Sequence, residues 1–260
     1  MELHGYAASL AAMDDRVTNP VLCRGDAMTM TADRNTTSHS RAAAVALVVA
    51  LACLGAREAV PASQYLVATD ASELRVLAYR AGPLARLGHN HVVTTHALSG
   101  SISLGEATEE SRVRLEFPVA SLMVDEPAAR TAAGPAFEGE IPPGDVTATR
   151  KNMLGPELLE ADSYPTVRIE SRAVEGGLPN VVVSALVTVR GRQYPLEVPV
   201  SINTFDGGLV AVGRLRVAHS EIGLEPFTVA LGSLRVADEL QVAFRIVARQ
   251  ESDAPPDSGD

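Results

Sequence analysis

Arg112-Val113-Arg114-Leu115-Glu116-Phe117 sets a charged residue and an apolar one in strict alternation. Successive side chains of an extended chain point to opposite faces, so this stretch reads as a strand with one apolar face and one wet face. Thr166-Val167-Arg168-Ile169-Glu170 repeats the scheme, as do Tyr194 to Ile202 and Leu240 to Ile246. Such alternation belongs to antiparallel sheets, because parallel strands are covered on both faces and read as continuous apolar runs. Further strands are expected near 73–80, 95–104, 181–190 and 209–218. Between them, Glu175-Gly176-Gly177, Arg190-Gly191-Arg192 and Asp206-Gly207-Gly208 supply glycines for tight turns. Eight or so strands with short turns fit a barrel or a sandwich, and periodicity alone leaves both open.

One segment breaks the rhythm. From Asp125 to Glu160 the chain is rich in Ala, Gly and Pro, without sustained alternation. Gly144 to Leu159 is expected to hold one or two short helices, since Arg150-Lys151-Asn152-Met153-Leu154 has no β-branched residue. The earlier part, PAARTAAGPAFEGEIPPGD, reads as a loop, either a lid over a cavity or a mobile connection. The polar positions of the strands include Arg112, Arg114, Glu116, Arg168, Glu170, Gln241 and Arg245. A membrane-spanning barrel would turn these into its lumen. Eight strands leave a lumen wide enough only for side chains or one small ligand, so an apolar interior with the charges outside is the simpler reading.

Ala42 to Leu54, AAAVALVVALACL, is an uncharged apolar run of thirteen residues. It is short for a membrane span of about 20 residues but matches the core of a signal peptide, with Arg34 and Arg41 as its positive flank. Val60-Pro61-Ala62 offers a cleavage point, so the mature chain is expected to start near Ser63, in the periplasm or outside the cell. Residues 1–62 are then an upstream extension and signal peptide, 63–250 the barrel, and 251–260 a disordered tail. Both cysteines, Cys23 and Cys53, precede the cleavage point. Ala50-Leu51-Ala52-Cys53 loosely matches a lipoprotein box, and lipidation at Cys53 would tether the protein to a membrane. The net charge of −10 argues against a nucleic-acid partner and against docking on anionic lipid.

Four stretches together resemble the YceI family. Leu159-Glu160-Ala161-Asp162-Ser163-Tyr164-Pro165-Thr166-Val167-Arg168-Ile169-Glu170-Ser171 is similar to its signature, in which a helix ends at a Tyr-Pro that opens a strand. Val187 to Gly191 with Tyr194-Pro195-Leu196 resembles its central hairpin. Ser220-Glu221-Ile222-Gly223-Leu224 stands where the family usually reads Phe-Gly-Ile, and Val236-Ala237-Asp238-Glu239-Leu240 is similar to the start of its last strand. With a weaker match over Tyr65 to Leu104, the resemblance covers about residues 64–249. It implies an all-β fold: a lipocalin-like antiparallel barrel of about eight strands with one or two short helices. It also implies a polyisoprenoid or quinone lipid held inside. The lipocalin family proper needs a Gly-x-Trp motif, and the chain has no Trp. Departures from the family pattern are Ile222 in place of Phe, a long segment over 125–145, and Gly88-His89-Asn90-His91 where many members have a single histidine.

Carriage of such a lipid needs a dry lining more than polar recognition. Each buried CH₂ contributes roughly 0.8 kcal/mol, so about twenty carbons give roughly 16 kcal/mol gross, against association costs of up to ~15 kcal/mol. The expected lining is Val113, Leu115, Phe117, Val167, Ile169, Val183, Val187, Leu196, Val198, Val200, Val242, Phe244 and Ile246. The bland alternative is that these side chains simply fill the core. His89 and His91, one residue apart, would share a strand face and are expected at the ligand site, meeting a head group. The alternatives are a hydrogen-bonded turn, with Nδ1 satisfying backbone carbonyls near the barrel mouth, and an exported metal- or haem-binding barrel built on that pair, with His96 nearby. No Gly-x-Ser-x-Gly, His-Glu-x-x-His or phosphate-binding glycine loop occurs, so neither catalytic residue nor cofactor is assigned, only the bound lipid.

Overall fold

The computed structural model describes residues 62–250, and the signal segment, Cys53 and the tail expected from the sequence lie outside them. Twelve strands form one sheet: β1 (Ser63–Val67), β2 (Glu73–Ala81), β3 (His91–Thr95), β4 (Ser99–Leu104), β5 (Arg112–Pro118), β6 (Met123–Val124), β7 (Thr166–Gly177), β8 (Asn180–Val189), β9 (Arg192–Phe205), β10 (Gly208–Ala218), β11 (Thr228–Val229) and β12 (Leu234–Gln250). All pairings are antiparallel, and β1 pairs with both β4 and β12, which closes the ring. Three barrel strands are each broken once, because β1 and β2, β3 and β4, and β5 and β6 are halves of one strand. Counted so, and with the two-residue β11 set aside because it pairs only with β12, the described residues form a closed eight-stranded barrel. Closure removes the free edges that a sandwich must protect.

Side chains repair the breaks. At the first, Ser72 Oγ donates to Ala68 O (2.8 Å) and accepts from Val247 N (3.1 Å), replacing a ladder bond that the kink removes. At the second, Thr95 Oγ1 accepts from Ala97 N (3.1 Å) and lies 2.7 Å from Ser121 Oγ at the third. Each break resets the inside–outside alternation, so β1 and β3 escape a period-two reading of the sequence. The strand expected over 95–104 accordingly begins only at Ser99, and His96 to Leu98 form the kink. In β4, Gly100 has φ +138, and a Cβ there would lie 2.0 Å from Arg114 O. Only glycine permits that approach of β4 to β5.

The turns are mostly where glycine puts them. Arg190-Gly191 joins β8 to β9 and Asp206-Gly207 joins β9 to β10, each between directly paired residues. The first turn differs from expectation. Gly176 and Gly177 remain in β7, paired with Val181 and Asn180, and Leu178-Pro179 makes the turn.

The segment read as a loop contains α1 (Pro127–Ala133), which starts with Pro at its first turn, where a missing N–H costs nothing. It does not cover the barrel's end. Phe137, only 1 % exposed, packs with Val92 and Ala129, and its ring meets Tyr79 edge-on at 5.2 Å. Val92 and Tyr79 alternate with the inward residues of their strands, so this packing lies on the barrel's outer wall. The helix expected within 144–159 is α2 (Pro143–Leu154). Arg150 fixes it by donating to Leu122 O (3.0 Å) and Ala120 O (2.7 Å).

Outside the barrel, charges pair across strands. Arg114 faces Glu170, and Arg168 bonds Glu116 at 3.2 Å. Inside, the apolar rows meet in register: Leu115 beside Ile169, Ile169 beside Val187, Val183 beside Val198, Val242 beside Val76. Among the described residues no helix is long and apolar enough to cross a membrane.

Candidate functional site: a cavity inside the barrel

The two ends of the barrel differ. At the end holding the β7–β8 and β9–β10 turns, Ile102, Val174, Val181, Ile202, Leu209 and Ala248 close the core, each less than a tenth exposed. Toward the other end, where β2 meets β3 and α2 lies, the interior opens into a cavity of about 470 Å³. That volume falls within the roughly 300–1,000 Å³ of ligand pockets.

All fifteen residues expected at the ligand site line this cavity. Val113, Leu115 and Phe117 come from β5, Val167 and Ile169 from β7, Val183 and Val187 from β8. Leu196, Val198 and Val200 come from β9, Val242, Phe244 and Ile246 from β12, and His89 and His91 from the start of β3 and its approach. Along β9 the inward residues Leu196, Val198 and Val200 are only partly buried, while Pro195, Glu197 and Pro199 are exposed to the outside. Inward apolar side chains that keep free surface mark a hollow interior, unlike the close packing of a filled core.

Sequence reasoning misses about two thirds of the wall. Leu74, Val76 and Ala78 of β2 and Leu215 and Val217 of β10 also face inward, and Met153 of α2 contributes from the helical end. The β2 and β10 rows lie in strands that were expected, so their alternation was the available signal. Met153 has no such pattern.

The histidines are held differently from one another. His91 Nδ1 lies 2.6 Å from Asp125 Oδ2, at a carboxylate whose side chain is wholly buried. Asp125 Oδ1 accepts from Arg130 Nη1 (2.7 Å) and from Val92 N (2.9 Å). Arg130 Nη1 also donates to Asn90 O at 2.9 Å. Burial alone would raise the Asp125 carboxyl, but the bonds from His91, Val92 and Arg130 outweigh it and hold it below its ordinary 3.8. An ionised Asp125 makes Nδ1 the donor, so Nε2 is the polar atom His91 has left for the cavity. Asp125 and Arg130 carry no local motif and were not anticipated. His89 is exposed, with its ring 6.4 Å from that of His91. His96 turns elsewhere, its Nδ1 3.2 Å from Ser72 O. Among the described residues no group of three or more His, Cys, Asp or Glu is arranged to hold a metal ion.

The model of the YceI-like domain matches residues 65–248, almost the whole barrel. The chain belongs to the YceI-like domain family. Among solved structures, Burkholderia cenocepacia BcnA aligns with a TM-score of 0.51 and 17 % identity, over 70 % of this chain and 98 % of that one. A polyisoprenoid binding domain from Saccharophagus degradans aligns with a TM-score of 0.49 and 14 % identity, over 72 % and 98 %. No curated protein matches the chain significantly. At such identities the YceI likeness to BcnA is one of fold.

Proposed function

We propose that this YceI-like protein carries a long apolar lipid, of polyisoprenoid or quinone type, inside its barrel and performs no chemical step on it. The observation that carries the reading is the cavity itself: about 470 Å³, walled by apolar rows from the barrel strands. An apolar chain entering it leaves water along its whole length, at roughly 25 cal/mol per Å² removed. A filled barrel would offer no such volume. Family membership agrees, with the ligand that the resemblance implies. The site of action is outside the cytoplasm, a reading supported by the apolar run Ala42 to Leu54.

Native mass spectrometry of the protein from periplasmic material, followed by solvent extraction, tests this. A bound mass released into solvent as an isoprenoid lipid is the expected result. A protein that leaves the cell without lipid, and takes up neither a prenol nor a quinone when offered one, would overturn it.

A further inference from the structure

Polar groups are distributed unevenly around the cavity. Among the described residues, the titratable side chains that line it are Arg80, His89, His91, His219 and Arg235, and no Asp or Glu lines it. That is notable in a chain of net charge −10. These groups share one end. On β2 the inward row runs Leu74, Val76, Ala78, Arg80, so the period that builds the apolar wall ends in a guanidinium. Arg80 is paired with Val236, and Arg235 with Ala81 on the alternate face, so the two arginines stand at the same level of adjacent strands and both border the opening. His91 pairs with Ala78 one step deeper, and His89 precedes it.

Neighbouring groups leave this charge uncancelled. Arg80 Nη1 donates to Gly88 O (2.6 Å), a neutral acceptor, and its other donors remain. Asp125, the carboxylate nearest in the network, is buried behind His91 and already matched by Arg130. His219 is buried, its Nδ1 2.8 Å from Asp238 O, so it belongs to the wall more than to the opening. Arg80, His89 and Arg235 are exposed.

We propose that this mouth binds an anionic oxyanion, a phosphate or a carboxylate, as the head group of the lipid whose tail lies in the barrel. The inference rests on the carriage reading and narrows it to amphiphiles with a charged end. Arginine offers only donors, in a fork that fits an oxyanion, and charge-assisted bonds are roughly twice as strong as neutral ones. A quinone carbonyl or an alcohol accepts a hydrogen bond but leaves the guanidinium charges at the mouth unmatched.

The test uses the full chain stripped of lipid and four probes: a prenyl phosphate and the prenol of equal length, a long-chain fatty acid and its alcohol. The wild type is expected to bind the prenyl phosphate about tenfold or more tighter than the prenol, as one charge-assisted bond gained would give. The fatty acid arm separates the sources: a gain for phosphate alone assigns a phosphate head, and a gain for both assigns oxyanions in general. In Arg80→Gln/Arg235→Gln the gain is expected to fall to about twofold, the affinity for the phosphate falling by more than that for the prenol. Arg235→Gln alone, which spares the Arg80–Gly88 bond, is expected to lose part of it. Equal binding of phosphate and prenol by the wild type would overturn the anionic head group and leave carriage standing, as would a double variant that keeps the full gain. Binding of none of the four would overturn carriage itself.

Discussion

His91 and Asp125 are joined by a 2.6 Å contact across 34 positions of sequence, and the carboxylate that makes it is completely buried. It ties the first residue of β3 to the residue just after β6, and Arg130 of α1 completes the group. Removing the carboxylate leaves the Arg130 guanidinium buried with its charge unmatched, which costs about 3–5 kcal/mol. Asp125 also has φ +56, a conformation that Asp and Asn tolerate better than Ala. Asp125→Ala is therefore expected to lose the full amount and Asp125→Asn, which keeps shape and an acceptor, clearly less. Urea midpoints of the three proteins measure this, and an Asp125→Ala midpoint equal to wild type would show that the pair contributes nothing.

The same carboxylate sets a pH dependence. Its folded pKa lies below the ordinary 3.8, so it binds protons more weakly folded than unfolded. Its contribution is fully present above the unfolded value and is lost as pH falls through the folded one. Glu160 shifts the same way, held down first by its bond to Arg190 at the β8–β9 turn. Stability is expected to hold from neutral pH to about 5 and to fall below about 4. In Asp125→Asn that acid fall should shrink. Denaturant titrations across the range check it, and an identical fall in the variant would remove Asp125 as a cause.

Legibility in the sequence followed the physics of the barrel. Where a stretch of six or more residues runs free of a kink between cavity and water, as in Arg112 to Phe117 or Tyr194 to Ile202, alternation marks both the strand and its lining residues. At a break the alternation slips, so the five-residue β1 and β3 carry no period-two signal of their own, and the expected strand over 95–104 runs across the kink at His96 to Leu98. Helix α1 was hidden because PAARTAA is small and apolar without a stripe, although Pro127 just after Asp125-Glu126 is a helix-start signal. The Asp125–Arg130 pair was out of reach, since its partners on β3 are distant in sequence and only the fold joins them. Closure into a barrel, too, depended on β1 meeting β12, a pairing between the two ends of the domain.

Gly213 and Phe244 are direct partners across β10 and β12, and the glycine makes room for the ring. A Cβ at Gly213 would lie 2.3 Å from Phe244 Cζ and 2.6 Å from Pro199 O. Gly213→Val is expected to push the ring out of place and to destabilise by about 1–3 kcal/mol, the usual cost of overpacking. Because Phe244 lines the cavity, lipid content should fall as well. Adding Phe244→Leu should recover part of the stability, a coupling that a double-mutant cycle reads directly. Simple additivity of the two changes would mean that the ring does not respond to position 213.

Val198 separates a carrier from a filled barrel. It lines the cavity from the middle of β9, beside Val183, and is only partly buried because part of its surface faces that cavity. Val198→Glu sends a carboxyl into apolar surroundings, where an unpaired charge is costly and its pKa must rise. With about 470 Å³ beside it, the longer side chain has space, and some of the charge can be relieved by protonation or by water that enters. The variant is therefore expected to fold, with a wild-type circular dichroism spectrum, but to lose its lipid. Val198→Leu, apolar and similarly placed, should fold and keep it. In a filled interior both changes would overpack the core, and Val198→Glu would fail to fold through desolvation as well. Circular dichroism and extracted lipid, measured on the same preparations, give the answer: a folded Val198→Glu with full lipid content would place the ligand somewhere other than this cavity.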